Sequence, residues 1–400
     1  MVTRNLSIGL LLVLFLTACV PAAAAFVAPA NSTALAQLPS QATLPPTATD
    51  LPTEASPATT ARPAPITPPA SPTANLPTPT STLVPVLNPL TGLQVEDASL
   101  LKLPPALVSI SNFPVSARPQ SGMATSPLVF EIYIGEGMTR FLALFYGKYT
   151  QGATVSNAND DIGPIRSGRI PYDHIRNLYN GFIVMSGAYS AVAAQLTAAN
   201  TVYNQSDTDI NGDKIGLSAL QTMAEGMKTR RLGESNLNAL TFSPTAPSGG
   251  QDASKIDLWW NYLNQVEWTY DAATGAYLRA QDKADGSGKF YPATDKLTGQ
   301  QLAFNNVVVL FATHDFVAPT LVNIDLLYQT RFPAYLFRDG KAYKAKWSTL
   351  APFTPFQFTD ENGKVIPYKP GNTFFEIVST VTGTTHPGDG TWKFYFPIPK

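Results

Sequence analysis

Between residues 20 and 87 the chain consists mostly of Ala, Pro, Thr and Ser, and this confines folding to what lies beyond it. Sixteen of the 35 prolines fall between Pro21 and Pro89, and Asp50, Glu54 and Arg62 are the only charges of the stretch. Such a segment lacks the apolar side chains that would offset the entropy of ordering it, so it is expected to be a disordered or polyproline-like tether. As a coil its ends would lie roughly 45 Å apart, and fully extended it would reach on the order of 200 Å. Folding is left to residues 88–400, a length suited to two domains.

Ahead of the tether, Arg4 precedes an uninterrupted apolar run from Ile8 to Leu16, followed by Leu16-Thr17-Ala18-Cys19. The run is too short to span a bilayer but right for a signal peptide, which sets residues 1–19 apart. Small residues before a thiol, with a bulky one three positions ahead, form a lipobox. Its thiol is alkylated with diacylglycerol and becomes the new N-terminus. Cys19 is therefore expected to hold the protein to the membrane from outside the cytoplasm. Two or three acyl chains, at about 0.8 kcal/mol per buried methylene, anchor stably where one would not. Cys19 is also the only cysteine, so no disulfide forms within the chain. The alternative is an ordinary secretory signal followed by a buried cysteine.

Net charge is −1 and only 14% of residues are charged, which gives no sign of a nucleic-acid partner. No second apolar stretch of membrane-spanning length occurs.

A boundary is expected near residue 250, where Ser243-Pro-Thr-Ala-Pro-Ser-Gly-Gly-Gln251 gathers turn residues. The expected fold is an α/β domain with a mixed sheet over 88–248, then a smaller β-rich domain over 255–400. In the first, Ala106 to Ile110, Leu128 to Ile134, Thr139 to Tyr146 and Phe182 to Met185 read as buried strands. Tyr172 to Tyr179, Tyr189 to Ala199 and Ser218 to Lys228 read as helices, the last with Ser218 as N-cap. In the second, Val266 to Tyr270 and Ala276 to Ala280 form a hairpin. Others turn at Arg338-Asp-Gly-Lys341 and Asp360-Glu-Asn-Gly363, and Asn306 to Ala312 and Thr373 to Val378 are apolar strands.

Polar residues recur where the strands of the first domain end. Asn112, Arg118, Gln120, Ser121, Arg140 and Arg166 are expected to converge on one cleft. Arginines beside glycine-rich turns suit a carboxylate or phosphate, which guanidinium forks bind bidentately. The competing structural reading pairs Arg118, Arg140 and Arg166 with Glu131, Glu136 and Asp160 as internal salt bridges.

The order Asn88-Pro-Leu-Thr-Gly-Leu93, Ala117-Arg-Pro-Gln-Ser-Gly122, Glu131, Met138-Thr-Arg-Phe-Leu-Ala143 and Ile162-Gly-Pro-Ile-Arg-Ser167 resembles the YerB-like bacterial lipoprotein family. The likeness continues through Thr274-Gly-Ala-Tyr-Leu-Arg279, Asp295, Thr298-Gly-Gln-Gln-Leu302, Asn306-Val-Val-Val309 and Pro370-Gly-Asn-Thr373, covering essentially all of 88–400. The resemblance implies a lipid-anchored, two-domain protein and assigns no reaction to the motif residues. The chain departs from the pattern in two places. Glu136 stands between Gly135 and Gly137, and Thr229-Arg-Arg-Leu-Gly233 lacks the histidine that relatives often carry late in the first domain.

Other chemistry has less to stand on. Asp207, Asp209, Asn211 and Asp213 alternate as in a calcium loop, but Ser218 occupies the position of the closing glutamate, so an Asx-rich turn is the preferred reading. Ser121, Asp173 and His174 offer a poor triad, since adjacent helix residues point apart. Three scattered histidines give no zinc spacing, and no cofactor is expected. Trp259, Trp260, Trp268, Trp347 and Trp392 suit core and hairpin packing better than a glycan-stacking surface. The leading expectation is a non-enzymatic binding protein that takes an anionic ligand, or a protein of the wall machinery, at the arginine cleft. The alternative is a cell-wall hydrolase or transferase with Glu131 as acid/base. A Glu131 that lines an open pocket with Arg140 and Arg166 favours the enzyme, whereas a Glu131 closed in ion pairs removes the single cleft.

Overall fold

The computed structural model describes residues 85–147, 161–201, 209, 211–228 and 235–397. The lipobox with Cys19, the tether up to residue 84, Asp160, Asp207 and Thr229 to Gly233 lie outside the described residues. The first half carries strands β1 (Ala106–Ser111), β2 (Leu128–Gly135), β3 (Met138–Phe145), β4 (Asp161–Ile162), β5 (Phe182–Met185), β6 (Ala199–Thr201) and β7 (Ile215–Gly216). Its helices are α1 (Pro171–Tyr179), α2 (Ser190–Ala193) and α3 (Leu217–Met227). The second half carries β8 (Gln251–Asp252), β9 (Lys255–Asn261), β10 (Asn264–Asp271), β11 (Ala276–Asp282), β12 (Phe290–Pro292), β13 (Ala303–Phe304) and β14 (Asn306–Ala318). After these come β15 (Leu321–Asp325), β16 (Phe332–Arg338), β17 (Lys341–Ser348), β18 (Gln357–Thr359), β19 (Thr373–Ser379), β20 (Gly383–Thr385) and β21 (Thr391–Tyr395).

One large mixed sheet runs β18-β17-β16-β14-β19-β2-β3-β1-β5-β6, and a second runs β12-β11-β10-β9-β21-β20. The large sheet draws strands from both halves, because β19 lies parallel to β2 with Glu376 opposite Glu131. The expected separation into an α/β domain and a β-rich domain is thus matched only in part. The molecule is mostly β with few helices, and the apolar runs of β2 and β19 cover each other across the junction.

Every residue of β2 is buried, as a strand covered on both faces requires. On one face the second sheet packs against it, with the Trp268 ring 4.8 Å from Phe374 and Trp260 stacked near Tyr133. On the other, Tyr179 of α1 meets Phe130 at 5.9 Å. Helix α1 begins at Pro171, buries Tyr172, Ile175, Leu178 and Tyr179, and stops at left-handed Asn180.

Two helices differ from expectation. The run from Tyr189 to Ala199 gives only the four residues of α2, because Ala199 to Thr201 leave to pair with β5 as a strand. Ser218 lies inside α3, whose N-cap is Gly216. The β2–β3 turn explains the glycines that flank Glu136. Gly135 and Gly137 both take positive φ, and a Cβ would run into the Pro319 carbonyl at one and the Asn261 side chain at the other.

Candidate functional site

Alternation along β3 divides the expected cleft. Thr139 and Phe141 turn toward the second sheet while Arg140 turns the opposite way, and Glu131, paired with Phe141, follows the first set. Glu131 and Arg140 therefore lie on opposite faces of the large sheet, and the six residues expected in one cleft fall into separate settings.

On the inner face, Glu131 is fully buried and pairs with Arg279 of β11 at 2.7 Å. Its other oxygen accepts from Thr139 Oγ1 at 2.6 Å and from Asn112 Nδ2 at 3.4 Å. Arg279 also donates to Gln281 Oε1, and its guanidinium lies over the rings of Phe141, Trp268 and Phe374. Beside Glu131 stands Glu376, equally buried, which accepts from the Trp268 indole at 2.9 Å. Burial above all, then the Glu131 charge, pushes the Glu376 carboxyl well above the usual range, against the pull of Arg279.

This network reaches the surface through Asn112. Its Oδ1 accepts from Gln281 Nε2 at 2.9 Å and from Arg118 Nε at 3.1 Å. Arg118 also donates to the carbonyls of Asn112 and Asp282, rests on the Phe113 ring at 4.7 Å, and leaves Nη2 without a partner. Burial draws its pKa down while Tyr291 and Asp282 oppose the shift. Above it opens a cavity of about 370 Å³, with Gln120, Gln281, Tyr291 and Thr294 as polar lining and Val115, Pro119, Pro292 and Ala293 as apolar walls. Asp295 secures the rim by accepting backbone N–H bonds from Gly122 and Ala124.

On the outer face, Arg140 is buried and donates through Nη1 to the Ser167 carbonyl at 2.9 Å. Arg166 and Arg169 are its cationic neighbours. Burial foremost, with their repulsion added and Tyr172 opposing, pulls the Arg140 pKa down to about 9, still charged at neutral pH.

The expected salt bridges to Glu131 do not form, since its guanidinium partner is Arg279. Glu131 lines no open pocket with Arg140 and Arg166, so the single cleft is corrected to two centres. The Ser121 side chain bonds to neither. Its hydroxyl donates to the Asp161 carbonyl, while His174 bonds the Ile324 carbonyl and Asp173 holds Arg176, so the three share no site. Asn211 and Asp209 form an Asx turn, with Asn211 N–H donating to Asp209 Oδ1 at 2.9 Å. Among the described residues no group of three or more His, Cys, Asp or Glu side chains is gathered for a metal. Trp260, Trp268, Trp347 and Trp392 are buried, and Trp259 alone is partly exposed.

Sequence reasoning missed Arg279, Gln281, Glu376 and Arg169 as site members. The signal for Glu376 is a carboxylate inside the apolar run Phe374-Phe-Glu-Ile-Val378, and Arg279 and Gln281 alternate inward along β11.

A mostly β protein with buried ionic residues between its two large sheets is the class these features define. The chain belongs to the DUF3048 family. The model of that family's N-terminal domain, a protein of unknown function, matches residues 90–227, and that of its C-terminal domain matches 256–375. The chain is 26% identical over 307 residues to YerB of Bacillus subtilis (strain 168), a protein named as a lipoprotein, covering 72% of this chain and 85% of the relative. The crystal structure of YerB from Bacillus subtilis shares the fold, with a TM-score of 0.58 at 24% identity over 73% of this chain and 96% of that one.

Proposed function

We propose that this is a lipid-anchored, extracytoplasmic binding protein whose pocket over Arg118 receives a small anionic ligand of the cell envelope. The observation that carries the reading is the Arg118 guanidinium. It is fixed through Nε and Nη1 by three acceptors and lies beneath an open cavity of about 370 Å³. Cavities of that size, with mixed walls and a few fixed polar groups, are the usual form of small-ligand sites. The lipobox at Cys19 and the lipoprotein name of the relative support the anchor. A polar tether from there would let the pocket reach into the wall. The burial of Glu131 among Arg279, Thr139 and Asn112 favours this reading over a hydrolase that uses it as acid.

The test is a photo-crosslinking residue placed at Val115, on the pocket rim, in living cells. The reading expects one anionic envelope component on the adduct, identified by mass spectrometry and lost when Arg118→Gln is added. An adduct pattern indifferent to Arg118→Gln overturns it.

A further inference from the structure

We propose that Arg140, Arg166 and Arg169, on the helix-covered face of the large sheet, form a second site that takes a phosphoryl group. The site is separate from the Arg118 pocket, which opens beyond the opposite face.

Its position follows from how β1 and β5 part. They pair in parallel over Ala106 to Val108, and beyond that point residues 164–168 wedge between them. The wedge bonds to β1 through Ser111 N–H to the Pro164 carbonyl and Arg166 N–H to the Ser109 carbonyl. It bonds to the chain after β5 through Ser186 N–H to the Arg166 carbonyl and Gly168 N–H to the Gly187 carbonyl. Crevices at the carboxyl ends of parallel strands are where ligands settle in such sheets.

Arg140 reaches this wedge from β3 with only 4% of its surface exposed. It uses one N–H on the Ser167 carbonyl, and Arg169 uses one on the Gly168 carbonyl at 2.9 Å. The Nε atoms of both are buried without a hydrogen-bond partner. Among the described residues no carboxylate pairs with either, and the Tyr172 hydroxyl, which shares a hydrogen bond with Ser109 Oγ, acts on both. Asp213 acts on Arg166.

Arg140 and Arg169, with no carboxylate among the described residues to balance them and with the Arg166 charge added to the repulsion on Arg140, forgo hydration and so need a compensating anion. One carboxylate would balance one of them and offer two oxygens. A phosphoryl group carries up to two charges and three or more acceptor oxygens, which matches several guanidinium forks. Arg166 and Arg169 are half-buried, so the cluster reaches solvent on their side.

The experiment is calorimetric titration of the detergent-solubilised full chain, in one arm with inorganic phosphate and in the other with glycerophosphoglycerol, the soluble form of a phospholipid headgroup. Saturable one-to-one binding in either arm is expected, and the arm that binds identifies the source as free phosphate or as lipid. Arg169→Gln, at the half-buried rim, should weaken binding by roughly tenfold or more, as should Arg140→Gln, with Arg140→Lys recovering part of the loss. Lys344→Gln, an exposed cation on β17, should leave it unchanged. Should Arg140→Gln fail to fold, Arg169→Gln carries the test alone. Binding in neither arm, or binding indifferent to Arg169→Gln, overturns the proposal.

Discussion

Glu131 and Glu376 stand opposite each other on parallel strands, both fully buried, with one guanidinium between the sheets to serve them. Arg279 is committed to Glu131 at 2.7 Å, so the Trp268 indole is the hydrogen-bond donor to Glu376. Two carboxylates this close to a single cation are best accommodated when one keeps its proton.

Glu376 is therefore expected to hold its proton well above the pH at which an unfolded glutamate releases it. A raised carboxyl stabilises the fold fully below the unfolded pKa of about 4.3, and that contribution is lost as pH rises through the folded value. Glu376→Gln, which mimics the protonated form, should flatten the decline and add about 1 kcal/mol or more near pH 8. Urea denaturation across the pH range checks this, and a parallel pH profile in the variant contradicts it.

Removing the cation should do the reverse. Arg279→Met leaves Glu131 buried without its partner and should cost roughly 3–5 kcal/mol, read as a lowered denaturation midpoint at neutral pH. A change below about 1 kcal/mol would show that the pair contributes little.

His314 titrates in the opposite sense. Burial lowers its pKa to about 4, although its Nδ1 contacts the Ala312 carbonyl. A depressed histidine stabilises the fold above its unfolded pKa of about 6.5, and the contribution fades as pH falls toward the folded value. His314→Gln should make the acid-side loss shallower by up to about 1.4 kcal/mol per pH unit. Because its slope and that of Glu376 oppose each other between about 4.3 and 6.5, each is best read as variant minus parent in the same titration.

The anchor has its own test. Cys19→Ala should leave the membrane fraction or persist as unprocessed precursor, and radiolabelled fatty acid should no longer be incorporated. Unchanged lipidation in the variant contradicts the lipobox reading.

The strands of the first half were legible because their apolar runs are continuous, and the turn at Asp339-Gly340 because both residues adopt the positive φ that Asp-Gly favours. The joining of the halves was not, since nothing local in Thr373 to Val378 says that its partner is Leu128 to Ile132. The polar residues were recognised as a group, yet their division followed from the two-residue period of β3, which sends Arg140 away from Thr139. Arg279 and Gln281 could have been marked, because inward polar side chains on a strand packed between sheets need buried partners.

The most direct measurement is native mass spectrometry of the protein extracted from its own membranes without denaturation. The account predicts a small anion bound in the Arg118 pocket, lost from Arg118→Gln and retained by Arg169→Gln and by the exposed-surface variant Lys344→Gln. A chain that carries no such anion, or an Arg118→Gln chain that retains it in full, would contradict the account.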